Sequence, residues 1–124
     1  MKIDRTVYVA EGAKLIGDNI TIGANSSIWY NSVIRCDENE SIVIGDGTNI
    51  QDLSMMHTAP GVSVKVGNNC IIGAGSLVTG GTVIPDGYMA FGRPAKVVKE
   101  LTSEQIESNK YSATLYIQES AGKR

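Results

Sequence analysis

Residues 66–78 read Val-Gly-Asn-Asn-Cys-Ile-Ile-Gly-Ala-Gly-Ser-Leu-Val, and an aliphatic side chain recurs in this stretch at every sixth position. A smaller or slimmer side chain stands two positions before each member of this series. The series continues in both directions through Ile16, Ile22, Ile28, Ile34, Ile44, Ile50, Met56, Val66, Ile72, Val78, Ile84 and Ala90. A fixed period of this kind indicates a repeat architecture.

The series is interrupted twice, each time by the same number of residues. Ile34 and Ile44 are ten positions apart, as are Met56 and Val66, which is one repeat of six with four residues added. We therefore expect loops at residues 36–41 and 58–63. A period of six fits neither an amphipathic helix nor a long alternating strand, but it fits short strands joined by tight corners. Glycine and asparagine near the corners tolerate the positive φ needed there.

Three six-residue units make one turn of a triangular coil, whose strands stack about 4.8 Å apart on those of the next turn. The sequence thus predicts an all-β solenoid, a parallel β-helix of hexapeptide repeats with about four coils. Residues 1–9 are predicted to form a short lead-in strand that caps the first coil. One corner should contain Ile16, Ile34, Met56 and Val78, with Gly17, Arg35, His57 and Thr79 stacked on the outer edge beside them.

The six-residue series ends near Ala90, and a different element is expected after it. Thr102 and Gln105 have the spacing of a capping box, which predicts a helix from about Ser103 to Glu119. Its apolar stripe would include Ile106, Ala113 and Ile117. We divide the chain into a β-helix domain at 1–98 and a C-terminal helical segment at 99–124, which packs on the β-helix or on a neighbouring subunit.

Composition excludes several classes of function. The formal charge is −2, from 11 basic and 13 acidic residues, so neither nucleic acid nor an anionic membrane is an expected partner. The sequence has no apolar run of the roughly 18 residues that a membrane helix needs, and its first residues do not resemble a secretion signal. We expect a cytoplasmic protein in which Cys36 and Cys70 are reduced.

Two stretches resemble the gamma-class carbonic anhydrases. Residues 27–37, S-I-W-Y-N-S-V-I-R-C-D, are similar to that family's S-x-W-x-x-x-V-x-R-x-D segment. Residues 45–57, G-D-G-T-N-I-Q-D-L-S-M-M-H, resemble its G-x-x-T-N-I-Q-D-x-S-x-x-H segment. The resemblance covers nearly the whole chain and implies a left-handed β-helix, shorter here than in the family, that assembles as a homotrimer.

In that family, three histidines hold zinc or a similar divalent metal between two subunits. His57 matches the first ligand, and the chain contains no other histidine. In an alignment without a gap, the other ligand positions fall at Ala74 and Thr79. In an alignment with a gap, about two coils that carry both histidines are absent. We prefer the second alignment, because the family is longer and whole coils can be lost without breaking the register.

The resemblance also assigns roles to other residues near His57. Gln51 would orient a metal-bound hydroxide, so Gln51 and His57 are the candidate catalytic residues, with His57 as the metal ligand. Arg35, Asp37 and Asp52 are the candidate interface and structural residues. The simpler interpretation is that His57 is a retained surface or interface histidine, and that Arg35 and Asp37 form an ion pair at the coil corner.

These observations lead to one main functional hypothesis and two alternatives. The main hypothesis is a gamma-carbonic-anhydrase-like trimer with an incomplete metal site and weak or absent hydration of carbon dioxide. The first alternative is an acyltransferase that uses acetyl-CoA, with His57 as the general base. The second is a non-catalytic trimeric scaffold. The sequence identifies neither the small-molecule substrate nor which of these classes applies.

Overall fold

The computed structural model describes residues 1–110, which form a parallel β-helix followed by the start of a helix. The strands in chain order are β1 (Lys2–Ile3), β2 (Tyr8–Val9), β3 (Lys14–Ile16), β4 (Ile20–Ile22), β5 (Ser27–Ile28), β6 (Val33–Arg35), β7 (Ile42–Ile44), β8 (Asn49–Ile50), β9 (Met55–His57), β10 (Val64–Val66), β11 (Ile71–Ile72), β12 (Leu77–Val78), β13 (Val83–Ile84), β14 (Tyr88–Gly92) and β15 (Ala95–Glu100). The helix, α1, occupies residues 103–110 of the described part.

The strands form three sheets, one on each side of the prism. The first sheet contains β1, β4, β7, β10 and β13, the second β2, β5, β8, β11, β14 and β15, and the third β3, β6, β9 and β12. Up to β14, each strand pairs in parallel with the strand three elements further along the chain, so three strands make one coil. The predicted fold is confirmed: the chain is a left-handed parallel β-helix of about four coils.

The spacing between paired strands locates the insertions. Thr21 pairs with Val43 and Val43 pairs with Lys65, so these two steps along the chain are equal in length. Lys65 then pairs with Val83, and this step is shorter by four positions. Because the difference equals the length added at each interruption of the six-residue series, the predicted loops at 36–41 and 58–63 are confirmed.

The two loops lie against each other on successive coils. The backbone amide of Gly61 donates to Glu40 Oε1 at 2.5 Å, and the amide of Ser41 donates to Ser63 Oγ at 3.0 Å. Glu40 is buried although it is charged. Its contact with the loop of the next coil satisfies part of the hydrogen-bonding demand of that carboxylate.

The inward side chains form one continuous core along the axis of the coils. Its fully buried members are nearly all aliphatic: Ile20, Ile22, Ile28, Ile34, Ile42, Ile44, Ile50, Met56, Val64, Val66, Ile72 and Val78. Small hydroxyl side chains occupy the corners of this core and connect successive coils. Ser26 Oγ donates to the carbonyl of Gly45 at 2.7 Å and accepts from the amide of Thr48 at 3.1 Å. Thr48 Oγ1 repeats the pattern with Gly67 and Cys70.

The first coil corrects two predictions. Leu15 pairs with Ile34 and packs against the core, whereas Ile16 pairs with Arg35 and is 48% exposed. The predicted inward position of Ile16, and of Gly17 in the stack beside it, was therefore wrong by one residue. The first coil has one residue more than three hexapeptides, and this extra residue lies between β3 and β4, where Gly17 adopts a φ of +112°. Residues 1–9 do not cap a coil, since they supply β1 and β2 of a complete one.

The solenoid ends when β15 turns back on β14. These two strands pair antiparallel, so β15 covers the open edge of the second sheet. The capping box is confirmed: the backbone amide of Thr102 donates to Gln105 Oε1 at 2.9 Å, and the backbone amide of Gln105 donates to Thr102 Oγ1 at 3.1 Å. Residues 111–119 of the predicted helix, with Ala113 and Ile117, lie outside the described residues.

The proposed boundary between residues 98 and 99 falls inside β15, and the division into two units stays a prediction. No helix within residues 1–110 is both long enough and apolar enough to span a bilayer.

Candidate functional site

Three of the predicted residues meet on the third sheet. Arg35 ends β6 and His57 ends β9, and the two residues are register partners on adjacent strands. Arg35 Nη2 lies 2.5 Å from His57 Nε2. Asp37 Oδ2 lies 3.3 Å from the same nitrogen, and Asp37 Oδ1 lies 3.7 Å from Arg35 Nε. We call Arg35, Asp37 and His57 the edge cluster.

The contact with Arg35 decides what His57 can do. A guanidinium only donates hydrogen bonds, so the Arg35 contact needs Nε2 of His57 as an acceptor, whereas a hydrogen bond to Asp37 needs the same nitrogen as a donor. The lone pair on Nε2 is the group that would bind a metal or take a proton from a substrate. In this structure Arg35 and Asp37 both lie against that nitrogen and occupy the space that a metal or a substrate would need.

Backbone contacts hold the edge cluster in place. The Asp37 amide donates to Thr58 Oγ1 at 2.9 Å, and the Thr58 amide donates to the carbonyl of Arg35 at 3.3 Å. The side chains themselves are open to solvent, with exposed fractions of 45% for Arg35, 42% for Asp37 and 34% for His57. Ion pairs with this exposure contribute little to stability, roughly 0–1 kcal/mol. The order of the cluster therefore comes from the backbone more than from the charges.

The two missing ligand positions of the ungapped alignment hold side chains that do not bind zinc. Thr79 follows Val78 as His57 follows Met56, and Val78 and Met56 are register partners, so Thr79 continues the stack above His57. Ala74 lies at the adjoining corner between β11 and β12, and both residues are exposed. Within residues 1–110, no three His, Cys, Asp or Glu side chains are grouped so that they could hold a metal ion.

Gln51 and Asp52 lie away from the edge cluster, at the corner after β8. The backbone amide of Gln51 donates to the carbonyl of Ile72 at 3.0 Å, and the backbone carbonyl of Gln51 accepts from Ser32 Oγ at 2.7 Å. Its side chain lines a shallow cleft with those of Asp52 and Ala74. Neither Gln51 nor Asp52 makes a side-chain hydrogen bond or ion pair to the edge cluster in the described part of the chain. Their proposed catalytic and structural roles stay predictions.

Sequence reasoning missed Asn49, which immediately precedes the inward Ile50. Its side chain is on the outer face of the second sheet, yet Asn49 is only 7% exposed. Nδ2 donates to Asn109 Oδ1 of α1 at 2.7 Å, while Oδ1 is buried with no hydrogen-bond partner among residues 1–110. The outward position of Asn49 could be predicted from the inward Ile50, but its burial depends on α1 and carries no signal in the six-residue series.

The two cysteines do not add a reactive group. Both are free thiols in the interior. Burial, followed by the nearby carboxylates of Asp37 and Glu40, raises the pKa of the Cys36 thiol. Burial also raises the pKa of Cys70, whose Sγ lies 3.1 Å from the carbonyl of Pro85. A raised pKa lowers the thiolate fraction, so neither thiol is prepared for nucleophilic chemistry or for metal binding.

Comparison with solved structures supports the fold. The chain resembles a hexapeptide transferase family protein from Anaplasma phagocytophilum with a TM-score of 0.53 and 26% sequence identity. The match covers 98% of this chain and 91% of that one. No family model matches the sequence.

Comparison with curated relatives reveals a difference in length. The chain is 35% identical to gamma carbonic anhydrase 2 of Arabidopsis thaliana, a mitochondrial protein, over 93% of its own length and 55% of the relative's. It is 37% identical to a protein of Methanocaldococcus jannaschii named "Probable carbonic anhydrase", over 93% of each chain.

The alignment with the Methanocaldococcus jannaschii protein spans 150 positions. The aligned part of this chain is 93% of 124 residues, which fills only about 115 of those positions. The remaining 35 or so positions have no counterpart in this chain, which is close to two coils of the length seen between Lys65 and Val83. This agrees with the predicted absence of about two coils. Because the likeness to the Methanocaldococcus jannaschii protein extends over nearly all of both chains, the chain belongs to the gamma-class carbonic-anhydrase-like family of hexapeptide-repeat proteins.

Proposed function

We propose that this chain forms a homotrimer that holds no catalytic zinc and hydrates carbon dioxide weakly or not at all. The observation that carries the proposal is that His57 has no second histidine beside it and lies against Arg35. It is the only histidine in the sequence, and Arg35 Nη2 lies 2.5 Å from the nitrogen that would bind the metal.

The residues present do not fit the metal that the family implies. A catalytic zinc site needs three protein ligands and one open position. In a symmetric homotrimer the three interfaces are identical, so each would receive a single His57. Asp37, the carboxylate nearest to His57, is also paired with Arg35. No hydration step through a metal-bound hydroxide can therefore be assigned to this site.

Homotrimeric assembly is part of the proposal. A short solenoid has flat sides and open ends, and closed symmetric assembly is the common way to cover them. Exposed apolar side chains on the first sheet, including Val43 and Val83, are consistent with this. Three chains of 13.2 kDa would give a particle of about 40 kDa by light scattering. The cytoplasmic location also stays a prediction.

Metal analysis and a hydration assay test the proposal together. Protein purified in the presence of zinc should contain far less than one zinc per trimer, and its stopped-flow hydration rate should match the buffer. The variant His57→Gln serves as the control and should be indistinguishable from the wild type in both measurements. Stoichiometric zinc, with hydration that is lost on chelation and in His57→Gln, would overturn the proposal.

A second candidate, an acyltransferase, is supported by the likeness to the Anaplasma phagocytophilum protein. In that case His57 would be the general base for an acceptor hydroxyl or amine, with acetyl-CoA as the donor. Arg35 would first have to move away from Nε2, because it occupies the position from which an acceptor hydroxyl or amine would approach. Our main proposal expects no increase in melting temperature with saturating acetyl-CoA, and a clear increase would favour the acyltransferase.

A further inference from the structure

The first two turns of α1 lie loosely on the outer face of the second sheet. None of the side chains of residues 103–110 is fully buried, and Ile106, the apolar side chain among them, is only half-buried. A cleft of about 400 Å³ remains between the helix and the sheet, with Ile71 and Met89 on the sheet side. Tightly packed elements leave few gaps of this size. The helix therefore covers the sheet without closing against it.

The hydrogen bond between α1 and the sheet leaves a buried atom unsatisfied. Asn49 Nδ2 donates to Asn109 Oδ1 at 2.7 Å, whereas Asn49 Oδ1 is shielded from solvent and has no donor among residues 1–110. A buried acceptor of this kind has lost its water without gaining a partner. Because the burial of Asn49 depends on α1, the docked helix carries this cost, and a helix that moves away returns Oδ1 to water.

The chain is anchored immediately before α1. Leu101 is buried, and its backbone amide donates to the carbonyl of Gly87 at 2.8 Å. Thr102 is exposed, and its two capping hydrogen bonds join it to Gln105 within the helix. The cap can thus move together with the helix, while Leu101 stays with the coils. Hinges commonly lie at such element-terminal positions.

We propose that α1 is a hinged cover, which lifts from the second sheet at the junction of Leu101 and Thr102 while the coils stay folded. Elements with few buried apolar contacts open locally in this way. Lifting exposes a strip of the sheet that contains Asn49, Ile71 and Met89, and the hydration of Asn49 Oδ1 offsets part of the contacts that are lost. Asn49 therefore sets how often the cover opens. His57 is not involved, so this inference does not depend on the proposed loss of zinc.

Hydrogen exchange of the full-length protein, followed by NMR, tests whether α1 opens as a unit. The amides of residues 106–110 should share one opening, with protection at least about a hundredfold below that of Gln51 and Gly73. The amides of Gln51 and Gly73 are the reference, because they donate to carbonyls of the next coil. Protection in α1 as high as in the coils, or protection that changes steadily from residue to residue as in a fraying end, would contradict the hinged cover.

Substitutions at Asn49 test its control of the opening. They lie on β8, so they leave the intrinsic helix propensity of α1 unchanged. Asn49→Leu removes the unsatisfied acceptor and should raise the protection of α1 about tenfold. Asn49→Asp keeps the shape but buries a charge, and should lower that protection about tenfold. Lys65→Leu is the matched control, since Lys65 is exposed at an outward position of the first sheet, and it should have no effect.

The amides of Gln51 and Gly73 also report whether each variant keeps its coils, and their protection should be the same throughout. If leucine disturbs the coils, Asn49→Val has a smaller apolar side chain and carries the same expectation for α1. Two results would show that Asn49 does not control the cover: no gain of protection in the apolar variant with intact coils, or changes in the same direction for the apolar variant and Asn49→Asp.

Discussion

At the residue scale, the adjacent side chains of Leu15 and Ile16 provide a matched pair. Leu15 packs against the core, while Ile16 is 48% exposed. Leu15→Ala should lower the free energy of unfolding by about 2 kcal/mol, because it removes packed apolar atoms and leaves a cavity. Ile16→Ala should cost less than about 0.5 kcal/mol. Urea denaturation of both variants gives the comparison, and a larger loss from Ile16→Ala would contradict the register described for the first coil.

Leu53 has a left-handed backbone conformation that leucine rarely adopts. Within residues 1–110, the non-glycine residues with positive φ are four asparagines and Leu53, which has φ of 59° and is 66% exposed. A leucine in this region costs about 1–2 kcal/mol, whereas asparagine tolerates it better. Leu53→Asn should therefore raise the free energy of unfolding by about 1 kcal/mol.

The reverse change at an equivalent corner is the control for Leu53. Asn25 has φ of 61°, so Asn25→Leu should lower stability by a similar amount. Thermal denaturation of the two variants is sufficient. If both changes shift the melting temperature in the same direction, backbone conformation is not what distinguishes these corners.

At the element scale, the start of α1 depends on the reciprocal hydrogen bonds of Thr102 and Gln105. Thr102→Ala leaves the Gln105 amide without its acceptor and should destabilise the helix by about 1 kcal/mol. Hydrogen exchange at the amides of residues 105–110 is the suitable measurement, since a helix can open while the coils stay folded. Ser103→Ala, at an exposed position one residue further along, should leave exchange unchanged. Equal protection in both variants would mean that packing, and not the cap, holds this end.

At the scale of the whole molecule, two substitutions distinguish the alignments with and without a gap. Thr79 continues the stack above His57, and Ala74 lies at the adjoining corner. If these were the ligand positions, as in the alignment without a gap, Ala74→His and Thr79→His together would place three imidazoles at each interface of the family's trimer. Because the length difference agrees with the loss of about two coils, we expect the double variant to bind far less than one zinc per chain by metal analysis. Close to one zinc per chain in the double variant, with far less in each single variant, would show that the alignment without a gap is correct.

Most of the architecture could be read from the chain, because one physical constraint repeats. The coil could be predicted from an inward aliphatic residue at every sixth position. The loops could be predicted from the two ten-residue spacings, between Ile34 and Ile44 and between Met56 and Val66. The first coil was harder because Leu15 and Ile16 are both aliphatic, and only strand pairing shows which one is buried.

The candidate site was less accessible to the same reasoning. The register predicted that Arg35 and His57 are neighbours on adjacent coils, and they are paired. It could not predict which atoms meet, since the position of Arg35 Nη2 at His57 Nε2 depends on side-chain rotamers. Asn49 escaped notice for a different reason: its burial is produced by α1, which is distant in the sequence.

The unequal steps between paired strands also have a mechanical consequence. Each coil touches only its neighbours, so a molecule stretched between its two ends would unwind from an end, one layer after another. The layers fall into two sizes. Lys65 and its partner Val83 are 18 positions apart and Lys2 and Thr21 are 19 apart, whereas Thr21 and Val43 are 22 apart. Fully extended, the shorter layers correspond to about 60 Å of chain and the longer ones to about 75 Å. A force–extension trace should thus display two sizes of rupture event, with the larger steps arising from the middle of the protein.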